Sequence, residues 1–121
     1  MLLPVASFTL GQAAPPVGAL RAAGVTLVVA SDANPGTAPT ESLPLAMALA
    51  VRLYGLTPAE AILGATRVAA DSLGEPRRGR LVVDAAADVV VWDLPHEVGI
   101  VQPWGTSRAR HVLREGVDLA S

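Results

Sequence analysis

Apolar and polar positions along this chain fall into blocks of different period, and the blocks predict an α/β protein. Residues 2–10 are apolar up to Gly11 and read as a first strand. A polar patch and the pair Pro15-Pro16 come next, suited to the opening turn of a helix, and residues 17–23 continue that helix until Gly24 closes it. Residues 25–30, VTLVVA, are a continuous apolar, β-branched run of the kind expected for a strand buried on both faces of a parallel sheet. Residues 43–54 are apolar almost all round at helical period, with Arg52 the one charge, so this helix must be covered on most sides. Thr57, Pro58 and Glu60 have the spacing of a capping box, opening a helix that runs through Ala61, Ile62, Ala65 and Ala69 to a stop at Gly74.

Beyond Glu75 the period changes. The turn PRRGR leads to LVV at residues 81–83, then to an acidic, Ala-rich stretch and the alternating ADVVVWD, which together read as short strands. A turn-rich stretch over residues 103–107 precedes a last strand at 109–114, and this small β element is too slight to be stable alone. The opening third is therefore a βα unit leading into a buried parallel strand, as in α/β barrels and doubly wound sheets. In such folds ligands sit at the C-terminal ends of the strands, which here means the segment SDANPGTAPTES after residue 30.

Composition narrows the choices. The chain has 121 residues, 51% hydrophobic and 17% charged, which suits one domain richer in apolar surface than most that stand alone. Every basic side chain is Arg, the net charge is −2, and no dense basic stretch occurs, so nucleic acid and anionic membrane are not expected partners. With no Cys, thiolate metal sites and cysteine nucleophiles are excluded, and any metal must be held by O or N. The first ten residues have no basic start and contain Pro4, which reads poorly as a signal peptide, and no apolar run approaches the roughly 18 residues of a membrane span. A cytoplasmic protein is the expectation.

Asp32 is the central chemical candidate, a carboxylate directly after the buried strand and followed by Asn34, Gly36 and Thr37. Alone, these are also ordinary turn residues. Their neighbours make them part of a longer pattern. SDANPGT after an apolar strand, then LPLAMALAVRLYGLTPAEAILGATRVAA, then RGRL, then ADVVVWDL, closely resembles the C-terminal region of the imidazolonepropionase family of amidohydrolases. The helix, RGRL and ADVVVWD segments argue only for the amidohydrolase superfamily, whereas DANPGT, supported by the late WGT, points to the imidazolone substrate.

The resemblance implies the last strands and helices of a metal-dependent (β/α)8 barrel over residues 1–75, and C-terminal strands of a small composite β domain over 76–121. It implies a hydrolase that opens the cyclic amide of 4-imidazolone-5-propanoate to N-formimidoyl-L-glutamate, a step of histidine breakdown, with zinc or iron at its centre. By the same resemblance Asp32 is a metal ligand and the proton acceptor for a metal-activated water. Asn34, Gly36 and Thr37 correspond to positions that contact substrate or product. The resemblance also raises the expectation of a homodimer for the intact enzyme, with the small molecule 4-imidazolone-5-propanoate as its partner.

The family's remaining metal ligands, a His-x-His pair and a further His, have no counterpart in this sequence, so the chain is expected to be an incomplete portion, inactive and aggregation-prone by itself. His96 and His111 lack a partner at ligand spacing and read as surface or structural residues. Arg77, Arg78 and Arg80 read as a solvated turn, Trp92 as core, and Arg67 as a structural ion-pair partner in a buried helix. VVDAAADVVVWD departs from the family's Pro-Gly turn before ADVVVWD, and REGVDLAS reads as lacking a final strand. Rival readings are a fragment of another enzyme of the same superfamily, either a deaminase, which would carry a different loop after Asp32, or another cyclic-amide hydrolase, and a truncated product that only binds or assembles.

Overall fold

In the computed structural model, residues 1–102 and 104–119 are described. Helix α1 (Pro4–Thr9) occupies most of the segment expected to be the first strand, and only Leu2 keeps a strand-like role. Pro4 accounts for the correction. A proline cannot donate to a sheet ladder, yet its fixed φ suits the first turn of a helix. Pro4, Val5 and Ala6 are buried while Phe8 and Leu10 face out, and Gly11 ends the segment with φ 62°. Helix α2 (Val17–Ala22) forms where expected.

The apolar run 25–30 is parallel to its partner, as expected, but the pairing is a single bridge, Leu2 with Val29. Leu2 N–H donates to Val28 O (2.7 Å) and Ala30 N–H to Leu2 O (3.1 Å), while Val29 N–H turns the other way and donates to Gly64 O (3.0 Å). The run thus lies between one residue of extended chain and the end of a helix. Val28 and Val29 are buried, at 7% and 2% exposed, but Val25 and Thr26 are exposed, so only the later part of the run meets the expectation of burial.

Helix α3 (Leu43–Tyr54) is capped by the Ser42 hydroxyl, which accepts from Leu45 N–H, and ends on Gly55 in the left-handed region. It buries Ala46, Met47, Ala48, Leu49, Ala50 and Tyr54 and is the centre of the core. Helix α4 (Pro58–Gly64) has its complete capping box, with Glu60 N–H donating to Thr57 Oγ1 (3.1 Å) and Thr57 N–H to Glu60 Oε2 (2.8 Å).

The single helix expected up to Gly74 is broken. Thr66 is non-helical, its hydroxyl donates back to Ile62 O (2.7 Å), and α5 (Arg67–Ser72) starts afresh. Gly79, at φ 69°, lies so close over this break that a Cβ there would come within 2.6 Å of the Thr66 backbone. The basic turn is therefore seated on the α4–α5 junction.

Residues 81–83 form no strand, another correction: Leu81, Val82 and Val83 are 84%, 62% and 90% exposed, and none of the strands among the described residues pairs with them. Three antiparallel strands come after them, β1 (Val89–Trp92), β2 (Ala109–Arg114) and β3 (Val117–Asp118), in spatial order β1-β2-β3, with a register shift between Val91 and Trp92. The expected loss of a final strand is corrected by β3. It exists because Glu115 (φ 51°) and Gly116 (φ 83°) make a tight two-residue turn, stabilised by Glu115 N–H donating to Asp88 Oδ1 (2.9 Å). A short 3-10 helix (Glu97–Val101) brings Val101 to the core. Of the expected turn-rich stretch, Pro103 lies outside the described residues, and 104–107 carry no strand or helix.

Candidate functional site

The loop after the Val29 bridge is built around one side chain. Asn34 Oδ1 accepts from Gly36 N–H (2.9 Å) and Thr37 N–H (2.8 Å), and its Nδ2 donates to Asp32 O (2.6 Å) and Thr37 Oγ1 (3.2 Å). Backbone closure comes from Asn34 N–H donating to Ala38 O (3.0 Å), with Ala38 fully buried beneath. Asp32, Asn34, Gly36 and Thr37, all singled out from the sequence, are thus brought together in one turn.

Asp32 is exposed and stands at φ 53°, a left-handed conformation that Asp tolerates better than most residues but still uncommon. Its carboxylate oxygen Oδ2 lies 3.5 Å from Asn34 Nδ2 and is otherwise directed at solvent. Gly36 does not need a left-handed backbone; a Cβ there would press on Asn34 Oδ1 at 3.3 Å. Beside the loop a shallow hollow of about 360 Å³ is lined by Ala33, Asn34, Pro35, Ala38, Thr40 and Glu41.

Could these residues hold a metal? An oxygen-ligated divalent centre needs several donors converging on one point. Among the described residues no group of three His, Asp or Glu side chains converges, so Asp32 offers one carboxylate and the chain's own donors do not complete a centre.

The histidines are engaged elsewhere. His96 Nδ1 accepts from Val98 N–H (3.2 Å) and so caps the 3-10 helix, and His111 Nδ1 pairs with Asp118 Oδ2 (2.7 Å) across the β2–β3 hairpin. Arg78 pairs with Asp88 and Arg80 with Asp71, while Arg77 Nε donates to Asp84 O (3.0 Å). Arg77 and Arg78 are exposed, as expected of a solvated turn, and the carboxylates of Asp88 and Asp71 hold Arg78 and Arg80 in place. Arg67 is exposed and makes no ion pair among the described residues, which corrects the expectation of a buried structural pair. Trp92 is half-buried and lines, with Leu43, Met47, Ile62, Val90 and Ile100, an apolar cleft of about 550 Å³ between α3, α4 and the sheet.

One polar contact escaped sequence reasoning. Arg21 on α2 grips Glu60 on α4 with two hydrogen bonds, Nε to Oε1 (2.8 Å) and Nη2 to Oε2 (2.9 Å). Arg21 and the Thr57 N–H hold the Glu60 carboxyl down at about 2. The capping box marked Glu60, but nothing local marks a partner 39 residues away.

The sequence has close relatives among known proteins. A model of the amidohydrolase family matches residues 3–117. An imidazolonepropionase of Aeromonas hydrophila is 53% identical over 97 residues, covering 78% of this chain and 24% of that protein. An imidazolonepropionase of Chromobacterium violaceum is 50% identical over 98 residues (79% and 24%), and one of Cereibacter sphaeroides is 44% identical over 117 residues (96% and 30%). The chain spans about a quarter of the length of the curated relatives it matches.

Proposed function

The chain belongs to the amidohydrolase family, and from that premise we propose that it is the C-terminal portion of an imidazolonepropionase. On this reading residues 1–75 are the end of a (β/α)8 barrel, and 76–121 contribute to a composite β domain. The observation that carries it is the loop of Asp32 to Thr37. An exposed carboxylate sits at the C-terminal end of a parallel-paired, buried segment, where barrel enzymes hold their chemistry.

The reaction is hydrolysis of the ring amide of 4-imidazolone-5-propanoate. Water adds to the ring carbonyl, the C–N bond breaks, and the nitrogen takes up a proton, which yields N-formimidoyl-L-glutamate. Asp32 is the proton acceptor for the attacking water, a role open to a solvent-facing carboxylate. Asn34, Gly36 and Thr37 form the substrate-facing turn, suited to a planar polar ring with a carboxylate tail.

Amidohydrolases are generally metal-dependent. In this proposal Asp32 also supplies one ligand to a zinc or iron ion, and the other donors come from outside these 121 residues, because the described residues do not complete a centre. The homodimer of the whole enzyme and its cytoplasmic location belong to the same proposal. Among the described residues, no helix is long and apolar enough to cross a membrane.

The test is a chimera in which this chain replaces the matched segment of the Aeromonas hydrophila imidazolonepropionase. Turnover of 4-imidazolone-5-propanoate is expected, with Asp32→Asn lowering kcat by about 10²–10⁴-fold, the usual contribution of a positioned general base. A folded chimera with no turnover, or an Asp32→Asn variant as fast as its parent, would overturn the proposal.

A further inference from the structure

We infer that helix α4 is a splint that sets the position of the Asp32 carboxylate, with Gly64 as its positioning residue. The segment 25–30 is held from two sides. On one, Leu2 N–H donates to Val28 O (2.7 Å) and Ala30 N–H to Leu2 O (3.1 Å). On the other, Val29 N–H donates to Gly64 O (3.0 Å), at the last residue of α4. Asp32 follows Val29 by three residues. The helix end therefore supplies the backbone partner on the edge that Leu2 leaves open, just before the carboxylate.

Gly64 is buried and helical, so its own backbone does not call for glycine, and glycine weakens a helix. Close approach is the reason that remains. A Cβ there would stand 2.9 Å from Leu27 O and 3.3 Å from Val29 Cγ2, so the bare residue lets the helix end lie against the segment at hydrogen-bonding distance. The other end of α4 is tied to the element that leads into the same segment. Arg21 of α2 grips Glu60 through Nε to Oε1 (2.8 Å) and Nη2 to Oε2 (2.9 Å), and its Nη2 reaches Gly55 O (3.5 Å). Arg21 and Val29 lie on one stretch of chain, and α4 braces both ends of it. A slide of that stretch would carry the carboxylate with it.

The inference rests on the proposed hydrolase reading, and its test separates the two. In the same chimera, kcat and KM are measured for Gly64→Ala, Arg21→Gln and Ala70→Gly, and hydrogen exchange is followed at the Val29 amide. Ala70 is buried on α5, so Ala70→Gly weakens a helix that belongs neither to the splint nor to the segment it braces. Gly64→Ala is expected to lower kcat about 100-fold, as for a displaced reacting group, with KM within about threefold. Arg21→Gln frees only the far end of α4 and is expected to lower kcat about fivefold. Ala70→Gly should leave both constants within about twofold. Val29 exchange should quicken about tenfold more in Gly64→Ala than in Ala70→Gly.

Equal losses of kcat in Gly64→Ala and Ala70→Gly would mean that stability alone was at stake and would overturn the inference, as would a Gly64→Ala variant with unchanged kcat. If Gly64→Ala does not fold, Arg21→Gln decides, and an unchanged kcat there sinks the splint. If the parent chimera turns over nothing, the hydrolase reading fails, and exchange still decides whether α4 holds the segment. Equal Val29 exchange in the Gly64 and Ala70 variants would overturn that as well.

Discussion

Residues 1–75 and residues 76–119 of the same chain are held together by different means. In the first region α3 lies against α1 and α4, and Ala46, Leu49, Ala50 and Ala61 are almost wholly buried together with Val5, Val17 and Val29. In the second, Val101 is the only contributor to that buried cluster among the described residues. The sheet is instead fastened by polar hooks: Arg78 to Asp88, Glu115 N–H to Asp88, and His111 to Asp118. Val90, Val91, Val112, Val117 and Leu119 remain substantially exposed. Burial of apolar surface is the main source of folding stability, whereas exposed ion pairs contribute little. The helical region can thus hold the Asp32 loop in shape, and the sheet presents apolar strands that its own chain leaves uncovered.

Substitutions that probe burial sharpen this contrast most. Leu49→Ala should cost about 2–5 kcal/mol in urea unfolding, the range for truncating a fully buried Leu. Gly64→Ala should cost about 1–3 kcal/mol by overpacking. The added Cβ would meet Leu27 O at 2.9 Å, and backbone cannot give way there. Thr57→Ala removes the N-cap of α4 and should cost about 1 kcal/mol.

Glu60 gives the contrast a pH dependence. Its folded pKa of about 2 lies below the ordinary 4.5, so its stabilising contribution is complete above the higher value and fades as pH falls toward the lower. Glu60→Gln should remove this part of the stability loss between those two pH values, read as a flatter urea midpoint against pH. Val91→Ala in the sheet should be the mildest change, below about 1 kcal/mol. A cost equal to that of Leu49→Ala would mean that the exposed strand is covered in solution, and the two regions would no longer differ.

Much of the local structure was legible because it obeys short-range rules. The Thr57–Glu60 capping box, the apolar helix from Leu43 to its left-handed Gly55, and the strands at β1 and β2 each carry their cause within a few residues. The two misplaced strands share a cause. Residues 2–10 and 81–83 are apolar enough for strands, but a strand also needs a partner, and hydrophobicity does not reveal whether one is present. Pro4 was the local sign that tilts the first of these toward a helix. The grouping of Asp32, Asn34, Gly36 and Thr37 was legible from the family resemblance and from their nearness in a turn-rich loop, whereas the way the Asn34 amide closes that turn was not, since it depends on which backbone groups the turn aims inward.

What the sequence by itself determined is the set of caps, helix faces and turn residues, together with the placement of a carboxylate just after a buried run. Only the tertiary structure decided that Arg21 would grip Glu60, that Gly79 would seat the basic turn on the Thr66 break, and that Gly64 would accept a hydrogen bond from Val29. The physical reason is range. Caps and periodicity are satisfied within one turn of chain, while these contacts join groups whose approach is set by how the helices pack.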